Sequence, residues 1–375
     1  MRKILASLLA VVLIFSCVDA RAEELSGLNA KSMILIECDT GKVLYEKNPD
    51  ERMAIASVTK VMTMLLIMEA IDRGEVTYDT VVTASERAKS MGGSTIFLDA
   101  GEEMTVHDLL KGIAVASGND ACVAMAEHLS GSVEKFVAVM NNRAKELGME
   151  NTNFVTCNGL DADEHYSSAR DVAIMSRELL KHEDIFKYTT IWIDSLRDGK
   201  FQLANTNKLV RYYAGANGLK TGSTSKAKNC ISATAKRDDM QLCAVVLGSD
   251  SSKLRFNAAS SLLNYGFNNF LVKGIKKGEK TGEVRVAKGK RDKVSAVVKD
   301  DCMSVVGKEN SQEIKKTVTL YESVNAPVKK GDTVGKITLD MGNGEIKECE
   351  IIAENDVEKI SFLRMYRKVL KKWTM

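Results

Sequence analysis

Several kinds of chemistry lack the residues they need in this sequence. Its 4 histidines, His107, His128, His165 and His182, form no metal-spaced cluster, which argues against a zinc hydrolase and for chemistry without metal or cofactor. There is no Cys-x-x-Cys pair among the 8 cysteines, so neither a zinc ribbon nor a dense disulfide framework is expected. Only 2 prolines interrupt 375 residues that are 45% hydrophobic, the composition of an ordinary globular chain. A net charge of +3 is too small to argue for a nucleic-acid partner.

The N-terminus is where apolar residues first concentrate. Arg2-Lys3 precede an apolar run from Ile4 to Phe15, and Ala20-Arg21-Ala22 offers a small-x-small cleavage site. Residues 1–22 therefore read as an export signal, shorter than the ~20 apolar residues a membrane span needs. Phe15 and the better downstream site argue against lipoprotein processing at Cys17. Cleavage leaves seven cysteines, an odd number. Cys230 and Cys243 lie in two apolar runs joined by Lys236-Arg237-Asp238-Asp239, so they either pair across a hairpin or stay as buried thiols.

Residues 32–46 place two apolar runs around Asp39-Thr40-Gly41, the pattern of a β-hairpin. A helical block follows, with segments at 57–74, 105–116, 121–129, 133–147 and 169–181. Cys230–Ala235 and Leu242–Gly248 read as adjacent buried strands, and a helix over about 254–265 closes this part. Strands at both ends of a helical block predict one α/β domain, residues 23–270, whose antiparallel sheet draws on both ends of the chain. From 271 to 356, short alternating runs split by Gly, Asp and Lys turns predict a small all-β sandwich.

Residues 357–375 have helical period. Ile360, Leu363, Tyr366, Leu370 and Trp373 share one face, while Lys359, Arg364, Arg367, Lys368, Lys371 and Lys372 against Glu358 give a local charge of +5. A basic amphipathic helix of this kind suits an anionic membrane surface.

Three short motifs occur in order: Ser57-x-x-Lys60, Ser117-x-Asn119 and Lys220-Thr221-Gly222. None is specific alone. Ser-x-x-Lys recurs at Ser132–Lys135, Ser223–Lys226 and Ser225–Lys228, Ser-x-Asn at Ser323–Asn325, and Lys-Thr-Gly at Lys280–Gly282. Context selects among them. Only Ser57 precedes a run, Val61–Ala70, that is apolar on nearly every face, which predicts a serine-capped buried helix. A lysine one turn into such a helix is costly to desolvate unless chemistry needs it there. Only Ser117 breaks a helical block with Gly and Asn, and only Lys220 leads into apolar strands. A serine hydroxyl needs an adjacent base. Lys60 can serve if neutral, and both burial and a nearby cation, for which Lys220 is the candidate, push a lysine that way.

On these motifs the sequence closely resembles the serine D-alanyl-D-alanine carboxypeptidases, the low-molecular-mass penicillin-binding proteins, which share the three-motif set with class A β-lactamases. The resemblance covers roughly residues 30–270. It includes Asn48-Pro49, Ser117-Gly-Asn-Asp-Ala-Cys122, Gly159-Leu-Asp161 with His165, and Gly218-Leu-Lys-Thr-Gly222. The β domain and basic tail also fit that architecture.

The resemblance implies a peptidoglycan pentapeptide ending in D-Ala-D-Ala as substrate and β-lactams as covalent inhibitors. It places the enzyme outside the cell, held by its tail on the outer face of the cytoplasmic membrane. It implies an oxyanion hole from the backbone N–H groups of Ser57 and Ser223, and proton relay by Ser117. Asn119 would bind the substrate amide, and Lys220, Thr221, Thr224 and Arg255 its carboxylate. Asp161 and His165 would structure a loop beside the site. Family members often carry histidine after Lys-Thr-Gly; Ser223 stands there here, a tolerable exchange if the backbone N–H is what counts. A β-lactamase is the alternative on the same fold, but the Glu-x-x-Leu-Asn used for deacylation in class A enzymes is missing. A catalytically silent penicillin-sensing or wall-binding protein is the other, disfavoured by intact motifs.

Overall fold

The computed structural model describes residues 25, 27–310, 315–341 and 346–366. The expected export signal, residues 1–22, and the distal part of the expected tail helix, residues 367–375, lie outside the described residues. The chain divides into two compact units at Phe267/Asn268.

The first unit is built on a five-stranded antiparallel sheet. Its strands are β1 (Ser32–Glu37), β2 (Val43–Lys47), β3 (Ala216–Thr224), β4 (Lys228–Arg237) and β5 (Met240–Ser249), in the order β2-β1-β5-β4-β3. The N-terminal hairpin thus joins three strands from 170 or so residues later, as strands at both ends of a helical block predict. Every residue of β1 and β5 is buried, because both faces are covered. Successive side chains point to opposite faces. Ile34 and Ile36 face helix α5 (Ala169–Leu179), whereas Leu35 and Leu242 close on Gly266 of α6 (Ser252–Asn269).

The helical block between β2 and β3 also contains α1 (Lys60–Asp72), α2 (Val106–Lys111), α3 (Asn119–Ser130) and α4 (Val133–Glu146). Helix α1 is buried at Lys60–Met68 and Ala70, as a helix apolar on all sides must be. It ends one residue before Arg73 and Gly74, whose φ is +71°. Two-stranded ribbons, Val81–Thr83 with Glu103–Thr105 and Ile193–Leu196 with Phe201–Ala204, edge the block.

Cys230 and Cys243 are both free and buried. The register explains why: Cys243 lies opposite Thr234, four residues from Cys230, or about 13 Å along the strand.

The second unit is all β. Six strands, β7 (Lys280–Ala287), β8 (Lys293–Val298), β10 (Lys315–Leu320), β11 (Ser323–Asn325), β12 (Thr333–Asp340) and β13 (Ile346–Ala353), order as β10-β12-β13-β8-β7-β11. A ribbon of β6 (Phe270–Ile275) and β9 (Cys302–Gly307) shares their core through Ile275, Cys302 and Val306, which makes the unit a small sandwich. This unit carries a disulfide: Cys302 of β9 bonds Cys349 of β13, with Cα atoms 6.0 Å apart.

Candidate active site

Ser57 does not cap a helix. It sits inside a short 3-10 turn, Ala56–Thr59, that runs directly into α1, and no side chain caps that turn. Ala56 enters it with φ +49°, a left-handed conformation that a non-glycine residue adopts at a cost and that concentrates at functional sites. Three residues on, Lys60 lies over Ser57, with Nζ 2.8 Å from Ser57 Oγ.

Lys60 is completely buried. Its Nζ also donates to Asn119 Oδ1 at 2.6 Å and to the backbone carbonyl of Asn158 at 2.7 Å. The Asn119 amide is oriented by its other end, where Nδ2 donates to Gly92 O at 2.7 Å. Both carbonyl partners can only accept. Nζ therefore donates to both, and an amine that gives up its third proton keeps these two bonds and turns its lone pair to the Ser57 hydroxyl. Burial is the main force lowering the Lys60 pKa, opposed by Cys122, Cys157 and Asp120 nearby.

Lys220, also fully buried on β3, donates to its neighbour's carbonyl, Thr221 O, at 3.0 Å. Burial first, then repulsion from Lys60 and Arg255, holds its pKa well below the usual lysine value.

Ser117 arrives from a helix that changes pitch. After α2 comes a π turn, Gly112–Ala116, and Ser117 then takes φ +64°, ψ +33°. Its N–H and that of Gly118 both reach Gly112 O. Next in the chain, Asn119 opens α3, and Asp120 turns its carboxylate on the loop at 92–98, accepting from the N–H groups of Ile96 and Leu98 at 3.0 and 3.1 Å. The Ser117-x-Asn119 motif is thereby fixed to Lys60 on one side and to this loop on the other.

The third wall is β3. A Cβ at Gly222 would lie 2.8 Å from Ser57 N and 2.7 Å from Ile55 O, so glycine is what lets the strand approach the Ser57 turn. Gly159 does the same from the other side: with φ +85°, its missing Cβ would fall 2.0 Å from Ala56 O. Ser223 turns its hydroxyl to Asn229 Oδ1 at 3.3 Å, across the hairpin. Thr221 Oγ1 donates to Thr206 Oγ1 at 2.8 Å. Thr224 Oγ1 donates to Asp161 Oδ1 at 2.8 Å.

Arg255 is brought to this strand but from beneath it. Only 5% exposed, it donates to Gly222 O at 3.0 Å, to Cys230 O at 3.1 Å and to Ser252 Oγ at 3.0 Å. Its Nε is buried with no partner. Burial lowers its pKa to about 10.

His165 acts behind the turn. Nδ1 accepts the Val155 N–H at 2.9 Å, so the ring proton is on Nε2, which donates to Thr59 Oγ1 at 2.8 Å. Burial drops its pKa to about 4, keeping it a neutral brace. Among the described residues no group of three His, Cys, Asp or Glu side chains is placed to hold a metal ion.

The three motifs thus converge on one place. The residues missed from sequence are Asn158, Asp120 and Thr206. Asn158 contributes a backbone carbonyl, which carries no side-chain signal. Asp120 lies inside the Ser117-Gly-Asn-Asp stretch, where a buried carboxylate was a usable clue.

Comparisons with known proteins agree on the likeness. A family model described as D-alanyl-D-alanine carboxypeptidase matches residues 19–251, and one described as Penicillin-binding protein 5, C-terminal domain, matches residues 271–359. D-alanyl-D-alanine carboxypeptidase DacF of Bacillus subtilis is 42% identical over 386 residues, covering 100% of this chain and 99% of that protein. Penicillin binding protein 5 from Haemophilus influenzae superposes with a TM-score of 0.74 at 33% identity, covering 88% of this chain and 98% of that one. Penicillin-Binding Protein D2 from Listeria monocytogenes, solved in an ampicillin-bound form, covers 64% of this chain and 98% of its own with a TM-score of 0.59 at 31% identity.

Proposed function

This chain belongs to the D-alanyl-D-alanine carboxypeptidase family, serine hydrolases and penicillin-binding proteins of peptidoglycan metabolism, and we propose that it releases the terminal D-alanine through an acyl-enzyme on Ser57. The observation that carries this assignment is Lys60 Nζ at 2.8 Å from Ser57 Oγ with carbonyls as its other two partners.

Neutral Lys60 takes the Ser57 proton as Oγ attacks the carbonyl of the last peptide bond. The developing oxyanion is held by the backbone N–H groups of Ser57 and Ser223, worth about 3 kcal/mol per donor. The close approach of Gly222 to Ser57 N supports that pairing. Ser117 passes the proton to the departing D-alanine amine, and water then hydrolyses the Ser57 ester. Asn119 has a second Nδ2 proton left for the substrate amide. The terminal carboxylate meets the field of Lys220, on the strand whose Thr221 hydroxyl donates to Thr206. Arg255 and Thr224, bonded to Gly222 O and Asp161, act in the resting enzyme by fixing the strand, and reach a carboxylate only after leaving those partners.

Mass spectrometry after penicillin treatment tests the reading: one adduct on Ser57, lost in Ser57→Ala, is expected. An adduct elsewhere, or no D-alanine released from a D-Ala-D-Ala peptide, would sink it.

The enzyme works on the exterior surface, and residues 361–375 rest on an anionic membrane; the expected start at 357 is corrected by the structure, because Val357 is buried in the sandwich core and bridges Val328, and Lys359 bridges Gly289. Supporting this, Phe362 and Leu363 are 83% and 62% exposed beside Arg364 where the described part of the segment begins a helical turn. No helix among the described residues is long and apolar enough to cross a membrane. Deleting 361–375, which spares Val357 in the core, is expected to free the enzyme from anionic vesicles in a flotation assay with turnover unchanged; continued flotation refutes the anchor.

A further inference from the structure

One residue outside the three motifs touches two of them. Thr206 is exposed, yet its neighbours Asn205 and Asn207 are buried to 5% and 1%. Asn205 Nδ2 donates to Ile191 O at 2.7 Å, and Asn207 Nδ2 to Gly218 O at 2.9 Å. The two asparagines also bond each other, Asn207 N to Asn205 Oδ1 at 2.8 Å. Thr206 is thus clamped by a satisfied buried network, the arrangement that fixes geometry most firmly. From that clamp its N–H donates to Val115 O at 3.2 Å, in the π turn leading to Ser117. Its Oγ1 accepts the hydroxyl proton of Thr221 at 2.8 Å.

Two consequences follow from hydroxyl chemistry. A threonine hydroxyl has one proton to give. Thr221 has given its proton to Thr206, so the outermost donor of the pair is the Thr206 O–H. Two other candidate donors around the strand are already spent, Thr224 on Asp161 and Arg255 on the carbonyls of Gly222 and Cys230, which leaves buried Lys220 and the exposed Thr206 hydroxyl to meet an anion.

Resting on the reading of this site as a D-Ala-D-Ala carboxypeptidase, we propose that Thr206 is a further substrate-binding residue, whose hydroxyl, held on Thr221 and tied to the Ser117 arm, donates to the substrate's terminal carboxylate. The ligand chemistry is a free carboxylate on the leaving residue, and a hydrogen bond to a charged acceptor is the strong kind.

The test is the acylation rate of the full chain by penicillin and by its methyl ester, in wild type, Thr206→Val and Thr206→Ser. Valine keeps the shape and removes the hydroxyl; serine keeps the hydroxyl. Expected is a loss of about tenfold for the free acid in Thr206→Val, the range of a charge-assisted hydrogen bond. The ester should change by no more than about twofold, a selective coupling of the kind a double cycle isolates. Thr206→Ser should restore the acid rate. Equal loss with acid and ester, no loss with either, or failure of serine to restore the rate would overturn the proposal. Thermal melting of each variant separates loss of fold from loss of contact, since a misfolded variant loses both reagents alike. Wild type that carries no adduct on Ser57 would instead sink the underlying assignment, before any variant is made.

Discussion

The two units of this chain treat polar groups in opposite ways. Among the described residues, every buried polar or charged side chain except Ser304 belongs to the first unit, including Lys60, Lys220, Asp120, Asn119 and His165. The second unit keeps its charges outside, in exposed pairs such as Lys293–Glu283 and Lys336–Glu348, and closes its core with valine, isoleucine and a disulfide. Burying a lysine costs stability that only a reaction explains. A core of aliphatic side chains plus a cross-link serves folding alone. The difference locates the chemistry before any motif is consulted.

Four variants probe that contrast. The largest effect belongs to the buried lysine. Lys60→Arg keeps a long basic side chain but fixes a charge and abolishes the base, since a guanidinium does not deprotonate; D-alanine release should fall on the order of 10^4-fold. Measured in the same assay, a variant retaining a tenth of wild-type activity would break the link between burial and catalysis.

Next comes the cross-link of the second unit. Replacing Cys302 and Cys349 with alanine opens a 47-residue separation and should cost that unit about 4 kcal/mol. Urea unfolding reads the loss, while turnover of a D-Ala-D-Ala peptide should stay at the wild-type value. A fall in turnover would show that the two units are not divided in labour.

The buried imidazole ranks third. Folding lowers the His165 pKa from 6.5 to about 4, so the unfolded chain binds the extra proton between those values. Stability contributed by neutral His165 is therefore present above pH 6.5 and lost as pH falls toward 4, by about 3 kcal/mol. His165→Asn should flatten that slope in denaturant titrations at pH 7 and pH 4. An unchanged slope would assign the acid sensitivity elsewhere.

Smallest of all is the surface. Lys293 pairs with Glu283 in the open, where solvent screens the pair. Lys293→Ala should leave melting temperature and activity where they are; a clear drop in melting would mean the exposed pairs of the second unit do more than decorate it.

How much of this could be read from the chain follows the same division. Side-chain types in sequence context were legible. The apolar run after Ser57 singled out one Ser-x-x-Lys of four, and strands flanking a helical block predicted a sheet drawn from both ends. Backbone partners were not. Nothing in Asn158 signals that its carbonyl will hold Lys60, and Thr206 looks like any polar residue after a hairpin strand. Serine's preference for helix caps misled at Ser57, because the 3-10 turn brings the hydroxyl onto Lys60 instead. Cysteine pairing was equally opaque. Cys230 and Cys243 were open to either state, and strand register, which keeps them apart, decided for buried thiols; the bond that does form, Cys302 to Cys349, joins strands of two different sheets.

The π turn at Gly112–Ala116 gives the site a sensitivity to chain length. Such a turn holds one residue more than an α turn, and each residue rotates a helix by about 100°. Helix α3 cannot follow a rotation, because Asn119 is fixed on Lys60 and Asp120 on Ile96 and Leu98. Removing a single residue between 112 and 116 would leave the composition, the charges and all three motifs intact. Yet it would swing Ser117 about a quarter turn out of phase with its partners. In this stretch the count of residues, rather than their identity, carries the information.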